Sequence, residues 1–119
     1  MTLVDFLLAR IAEDEADARA ASPGPWSLAS DDPEQVVAVD GIEVTDAFAL
    51  SGPQTRATAA HIARHDPARV LAQCRAHRDV ITVVSDVGWT GSYAVRDVVL
   101  GHLARAYRDH PDFDPAWLA

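Results

Sequence analysis

The chain has 119 residues, with 18 acidic and 10 basic side chains and a formal net charge of −8. That length fits a single domain, residues 1–119, able to bury roughly two-thirds of its unfolded surface around one core. The charge argues against direct nucleic-acid binding, because phosphates are neutralised by a Lys and Arg surface. All the bases are Arg, a bias that points to a GC-rich genome.

The one cysteine, Cys74, has no internal disulfide partner, and Met1 to Arg10 lacks the basic stretch, apolar run and cleavage site of a secretory signal. A cytoplasmic protein is therefore expected. Apolar runs such as Val80 to Val84 fall far short of the roughly 20 residues of a membrane span, so no membrane partner is expected either.

In chain order, Thr2 and Asp5 form a capping-box pattern, and Leu3, Phe6, Leu7 and Ile11 then recur at helical spacing. This predicts an amphipathic first helix over about 2–20. Ser22-Pro23-Gly24-Pro25 ends it, since two prolines cannot continue the hydrogen-bond ladder. From about 26 to 50 a small antiparallel β-meander is expected. Trp26, Leu28, Val36, Val37 and Val39 supply its first strands, Asp31-Asp32-Pro33 an exposed loop, and Asp40-Gly41 a two-residue hairpin turn. Ile42, Val44, Phe48 and Leu50 continue the extended pattern.

Three helices are predicted next. Ser51-Gly52-Pro53 opens one that runs to His65; Asp66 caps a second, opened by Pro67, that runs to about Ser85. Val70, Leu71, Cys74, Ile81 and Val84 form its apolar stripe, with Arg78 as the exception. Asp86 to Ser92 is a loop. Ser92 caps the last helix, to about Arg108, with Val95, Val99, Leu103 and Ala106 inward. His110 to Trp117 is too rich in proline for a helix and too aromatic for a free end, so Phe113 and Trp117 should dock and order the tail. The fold class is α+β: an N-terminal helix, a small antiparallel meander, three helices and an ordered C-terminal tail.

Ser22-Pro23-Gly24-Pro25-Trp26, the block His61-Ile62-Ala63-Arg64-His65-Asp66-Pro67-Ala68-Arg69-Val70-Leu71 and the tail from His110 to Trp117 together resemble a family of small uncharacterised proteins from actinobacteria and their phages. The order of these motifs matches, and the likeness covers most of the chain. The layout is similar, more distantly, to accessory early-region proteins of temperate phages. The resemblance implies a domain of unknown function in a phage, prophage or actinobacterial setting. Relatives often carry a cysteine cluster between the last two helices, where this chain has Val87-Gly88-Trp89-Thr90-Gly91, so a zinc knuckle is not expected here.

His61 and His65, four apart on a helix, share a face and are spaced to hold one transition metal, with Asp66, Asp112 or Asp114 completing the shell. The simpler reading takes precedence: His65 meets the helix C-terminal dipole and His61 lies half-buried or solvated, with no metal or cofactor assigned. Ile62, standing where a zincin needs Glu, excludes that reaction class. Cys74 and His77 are spaced as a thiol and a base, yet Cys74 falls in the apolar stripe and reads as a packing residue. Asp66, Asp112 and Asp114 adjoin prolines and read as caps and turns. Gly88, Gly91 and Ser92 lack the Lys and the spacing of a phosphate loop.

Arg64, Arg69, Arg75 and Arg78 make a local positive zone, and contacts of Arg64 and Arg69 with Asp66, Asp112 or the terminal carboxylate are expected. Trp26 reads as core and Trp89 as an exposed contact residue, with packing an equal alternative for Trp89. With no convergent catalytic set, the leading expectation is a noncatalytic protein-interaction module with an unidentified protein partner, or a second copy in a homodimer. Trp89, Arg64, Arg69 and Trp117 are its candidate contact residues. Two alternatives are a metal-binding protein or metal-dependent hydrolase centred on His61 and His65, and an acidic mimic of nucleic acid.

Overall fold

The computed structural model describes residues 1–86 and 90–118. Its elements run α1 (Leu3–Ala20), β1 (Ser27–Ala29), β2 (Asp32–Val37), β3 (Glu43–Asp46), α2 (Gly52–Arg64), α3 (Pro67–Ser85) and α4 (Tyr93–Ala104), with short 3₁₀ turns at Arg105–Tyr107 and Pro115–Leu118. This is the expected α+β order. Among the described residues no helix is long and apolar enough to cross a membrane. The chain divides into two compact units, Glu15–Gln73 and Met1–Asp14 with Cys74–Ala119, so that α1 and α3 each contribute to both.

In Glu15–Gln73 the three strands form an antiparallel sheet in the order β1-β2-β3. α2 lies on β2 and β1, and Val36, Ala47 and Ala59 form the buried centre, with Trp26, Val44, Ile62 and Ala63 packed around it. α2 starts where the sequence places it. The Ser51 side chain accepts from the Gln54 amide, and Pro53 occupies the first turn, where its missing N–H leaves no bond unmade.

Several local expectations in the sheet fail for identifiable reasons. Asp32 and Pro33 belong to β2 rather than to a loop, and the turn is displaced to Ser30 and Asp31. Pro33 is tolerated because β1 pairing skips from Val36 to Asp32, so its missing N–H interrupts no regular ladder. Asp40-Gly41 is not a two-residue turn, since that turn requires positive φ at both central residues and among the described residues no non-glycine residue has it. Instead Gly41 N–H bonds to Ala38 O and Ala38 N–H to Ile42 O, a three-residue loop ended by Gly41 at φ 80°. β3 stops at Asp46. Phe48 and Leu50 therefore leave the sheet and lie exposed.

In the other unit, the Thr2 and Asp5 capping box forms as read: Thr2 Oγ1 accepts from Asp5 N and Asp5 Oδ2 from Thr2 N. Phe6, Leu7, Ile11, Cys74, Ile81, Val84, Leu100 and Ala104 make the core. Phe6 is its hub, fully buried, with the rings of Trp117, His110, Phe113 and Tyr107 centred 5.0, 5.6, 5.9 and 6.3 Å away. The tail is thus docked, as its aromatic content implies, although its last turn is 3₁₀ rather than irregular.

α4 buries a face only partly shared with the one expected. Leu100, Gly101 and Ala104 are buried, Val99 and Leu103 are half-buried as expected of inward residues, and Val95 and Ala106 are exposed. The Trp117 carbonyl approaches Gly101 so closely that a Cβ there would stand 2.5 Å from it, and only this small-residue face admits the tail. Arg10 was not foreseen on the buried face of α1. Its guanidinium lies 5.3 Å from the Phe6 ring centre, bonds to Glu13 at 2.9 Å and meets both nitrogens of the His110 imidazole.

Because Phe6 joins α1 to every tail aromatic in this unit, Phe6→Ala should lower unfolding free energy by about 3–5 kcal/mol. Urea denaturation of the two proteins measures it.

Candidate functional site

The corner between α2 and α3 carries most of the residues singled out from sequence. His65 closes α2 by donating its N–H to His61 O, and Asp66 then begins α3. Pro67 disfavours helical angles at Asp66, which frees the carboxylate to cap. Asp66 Oδ1 accepts from Arg69 N at 2.8 Å, and Oδ2 accepts from Trp26 N, also at 2.8 Å. Asp66 is buried. The Pro-Gly-Pro-Trp turn and the His-Asp-Pro block, far apart in sequence, therefore meet on one carboxylate.

Gly24 belongs to the same junction. A Cβ at Gly24 would stand 3.0 Å from both Cβ and N of Ala68 and 3.3 Å from Asp66 Oδ2, so a larger residue would displace the turn. Trp26 Nε1 donates to Ser22 O, which orients the indole over the sheet core.

The His61 and His65 rings share a face, 4.4 Å apart, and both residues are exposed. Desolvation, then the nearby His61, Arg69 and Arg64, hold the His65 imidazole below its ordinary pKa. Asp66 does not join the pair, since both of its oxygens face backbone amides. Among the described residues no three His, Cys, Asp or Glu side chains converge as a metal shell. Arg69 meets Asp66 through its amide rather than its guanidinium, and within Glu15–Gln73 neither Arg64 nor Arg69 forms an ion pair.

The remaining candidates are placed as follows. Cys74 is buried, its Sγ 3.9 Å from Ile11 O, and His77 is half-buried. Asp114 Oδ1 accepts from Ala116 N, the cap of the last 3₁₀ turn, and Asp112 N donates to His110 Nδ1. Ser92 Oγ accepts from Val95 N and caps α4. Arg75 is exposed and Arg78 half-buried. Trp89 and Gly88 lie outside the described residues. Trp117 is half-buried against Phe6 and Phe113, and it borders a shallow groove of about 490 Å³ with Leu3, Ala94, Asp97, Val98 and Ala116.

A feature the sequence did not reveal is the outer edge of the sheet. Val36 pairs with Thr45 and Val37 with Glu43, so Val44 is an extra residue in β3. That bulge puts Glu43 on the same face as Asp46, because their partners Val37 and Gln35 alternate onto one face. The hydrogen bond to Glu43 raises the Asp46 pKa, with desolvation and the charges of Glu43, Asp32 and Glu34 acting the same way. Around this strand Val39, Ile42, Phe48 and Leu50 are all exposed, Phe48 at 89 % and Leu50 completely. The alternation of Phe48 and Leu50 with Ala47 and Ala49 resembles a half-buried strand. Only the Ser51 cap close behind it signals that the strand has no room to continue.

Removal of the Asp66 carboxylate in Asp66→Ala leaves two amides without their acceptor and should cost about 2–4 kcal/mol, with Asp66→Asn intermediate, as read by urea denaturation. For Asp46 the raised folded-state pKa means that its favourable contribution is complete below pH 3.8 and lost as pH rises through the folded value. Asp46→Asn should therefore raise the melting temperature at pH 7, and the gain should vanish in melts below pH 3.8.

A protein-family model described as a family of unknown function matches residues 1–119. No curated protein and no solved structure matches the chain.

Proposed function

The chain belongs to DUF6221, a family of unknown function, and we propose that this member is a noncatalytic protein-interaction module of phage, prophage or actinobacterial origin. The observation that carries the interaction reading is the run of exposed apolar side chains Val39, Ile42, Phe48 and Leu50 within twelve residues. Single exposed apolar residues are ordinary, but several gathered on one short segment favour a contact surface.

The chemistry of the other candidates supports the same reading. Cys74 is shielded by packing, and the carboxylates of Asp66 and Asp114 are committed to backbone amides. Arg64 and Arg69 offer unpaired charge for a secondary contact, and Trp117 borders a groove that suits an apolar side chain. The origin rests on the Pro-Gly-Pro-Trp turn and the His61 to Leu71 block, which resemble those of actinobacterial and phage proteins.

Affinity capture from an actinobacterial lysate tests this with the full chain and a Phe48→Ser/Leu50→Ser double variant. Both residues are exposed, so the melting temperature should stay nearly unchanged. A partner protein should be retained by the parent and lost from the variant. Identical captures, or turnover of substrates in a hydrolase panel, would overturn the proposal.

A further inference from the structure

The surface just described has a backbone component as well as a side-chain one. β3 is bonded to β2 on one side, and its other side bears no strand in the three-stranded sheet. Ala47 N–H points inward to Glu34 O, so alternation turns the N–H and C=O of Asp46 outward. The Asp46 C=O accepts from Thr45 Oγ1, and its outward N–H is a backbone donor of the kind that an added strand satisfies.

Charge selects what that strand can be. Glu43 and Asp46 share one face, Asp32 and Glu34 add to the same field, and no Arg forms an ion pair with any of the four among the described residues. A second copy pairing through its own β3 would bring the same acids together, Glu43 opposite Asp46 in an antiparallel pair or each opposite its equivalent in a parallel one. Like charges placed opposite one another destabilise a sheet. β1, Ser27-Leu28-Ala29, carries no base either, so neither edge of this sheet complements β3. The acids and the bulge guard the edge against self-association while leaving it open to a positive strand.

We propose that β3 is a docking edge for a basic, extended segment of a partner protein, which adds beyond β3 as a fourth strand and sets its apolar side chains against Ile42, Phe48 and Leu50. The inference rests on the interaction reading above and names the partner's chemistry. Backbone pairing supplies the orientation, the apolar residues at both ends of β3 supply buried area, and Glu43 and Asp46 choose Arg or Lys over Asp or Glu.

The probe is a synthetic peptide of alternating Arg and Val, with an alternating Glu and Val peptide as control, titrated against the full chain by fluorescence anisotropy. The Arg peptide should bind, more weakly as salt rises, and the Glu peptide should not. Glu43→Lys/Asp46→Lys should weaken the Arg peptide by roughly tenfold or more and admit the Glu peptide. Glu43→Gln/Asp46→Asn keeps the edge uncharged should the reversed variant fail to fold, and should weaken the Arg peptide to a smaller degree. Amide exchange gives the readout that diffuse charge attraction would not move: the Asp46 N–H should become protected in the complex.

Absence of Arg-peptide binding, indifference to the charge variants, or binding without Asp46 protection would overturn the proposal. So would a dimer of the chain that dissociates on Phe48→Ser/Leu50→Ser. If the peptides fail while lysate capture still depends on Phe48 and Leu50, the interaction reading stands and the docking edge falls; if both fail, neither stands.

Discussion

Two backbone amides far apart in the sequence, those of Trp26 and Arg69, end on one buried carboxylate, and the arrangement of Glu15–Gln73 follows from that fact. A charged acceptor with each oxygen on an amide makes hydrogen bonds about twice as strong as neutral ones, and removal of water strengthens them further. Through Asp66 the turn that follows α1 is tied to the start of α3. Gly24 is confined by the same approach, since Ala68 and Asp66 occupy the space that a side chain would need. Trp26, held through its amide and its indole N–H, is then set against Val36 and Ala59. The block that looks most like a chemical site in sequence is therefore spent largely on shape.

The exposed charge and apolar surface of this unit gather at the β3 edge of the sheet. β3 carries a crowded pair of carboxylates, and exposed apolar side chains flank it at both ends. The bulge at Val44 is what brings the two carboxylates onto one face, because without it Glu43 and Asp46 would point to opposite faces. One additional residue in a four-residue strand thus gathers the charge of the edge on one face.

Much of the helical framework was legible because it rests on local rules. The Thr2 and Asp5 box, the Ser51 and Ser92 caps, and the His65-Asp66-Pro67 boundary each involve partners within four residues, and each forms as read. The docking of Phe113 and Trp117 was legible for another reason, that a terminus so rich in aromatic surface is costly to leave in water. The inward face of α4 is legible only in part, at Val99 and Leu103, since a row of Val residues looks more apolar than Leu100, Gly101 and Ala104. Close approach of the Trp117 carbonyl to Gly101 decided it. Arg10 was illegible for the same kind of reason: its burial depends on His110, a hundred residues away.

The sequence by itself determined where helices begin and end, that the middle of the chain is extended, and that the single cysteine packs, because capping, proline chemistry and side-chain periodicity act between near neighbours. Tertiary structure alone decided which carboxylate serves two motifs, which face of α4 meets the tail, and that Phe48 and Leu50 stand in water beside paired acids. Those outcomes depend on register and on close approach between distant segments, where a shift of one residue reverses the face a side chain presents.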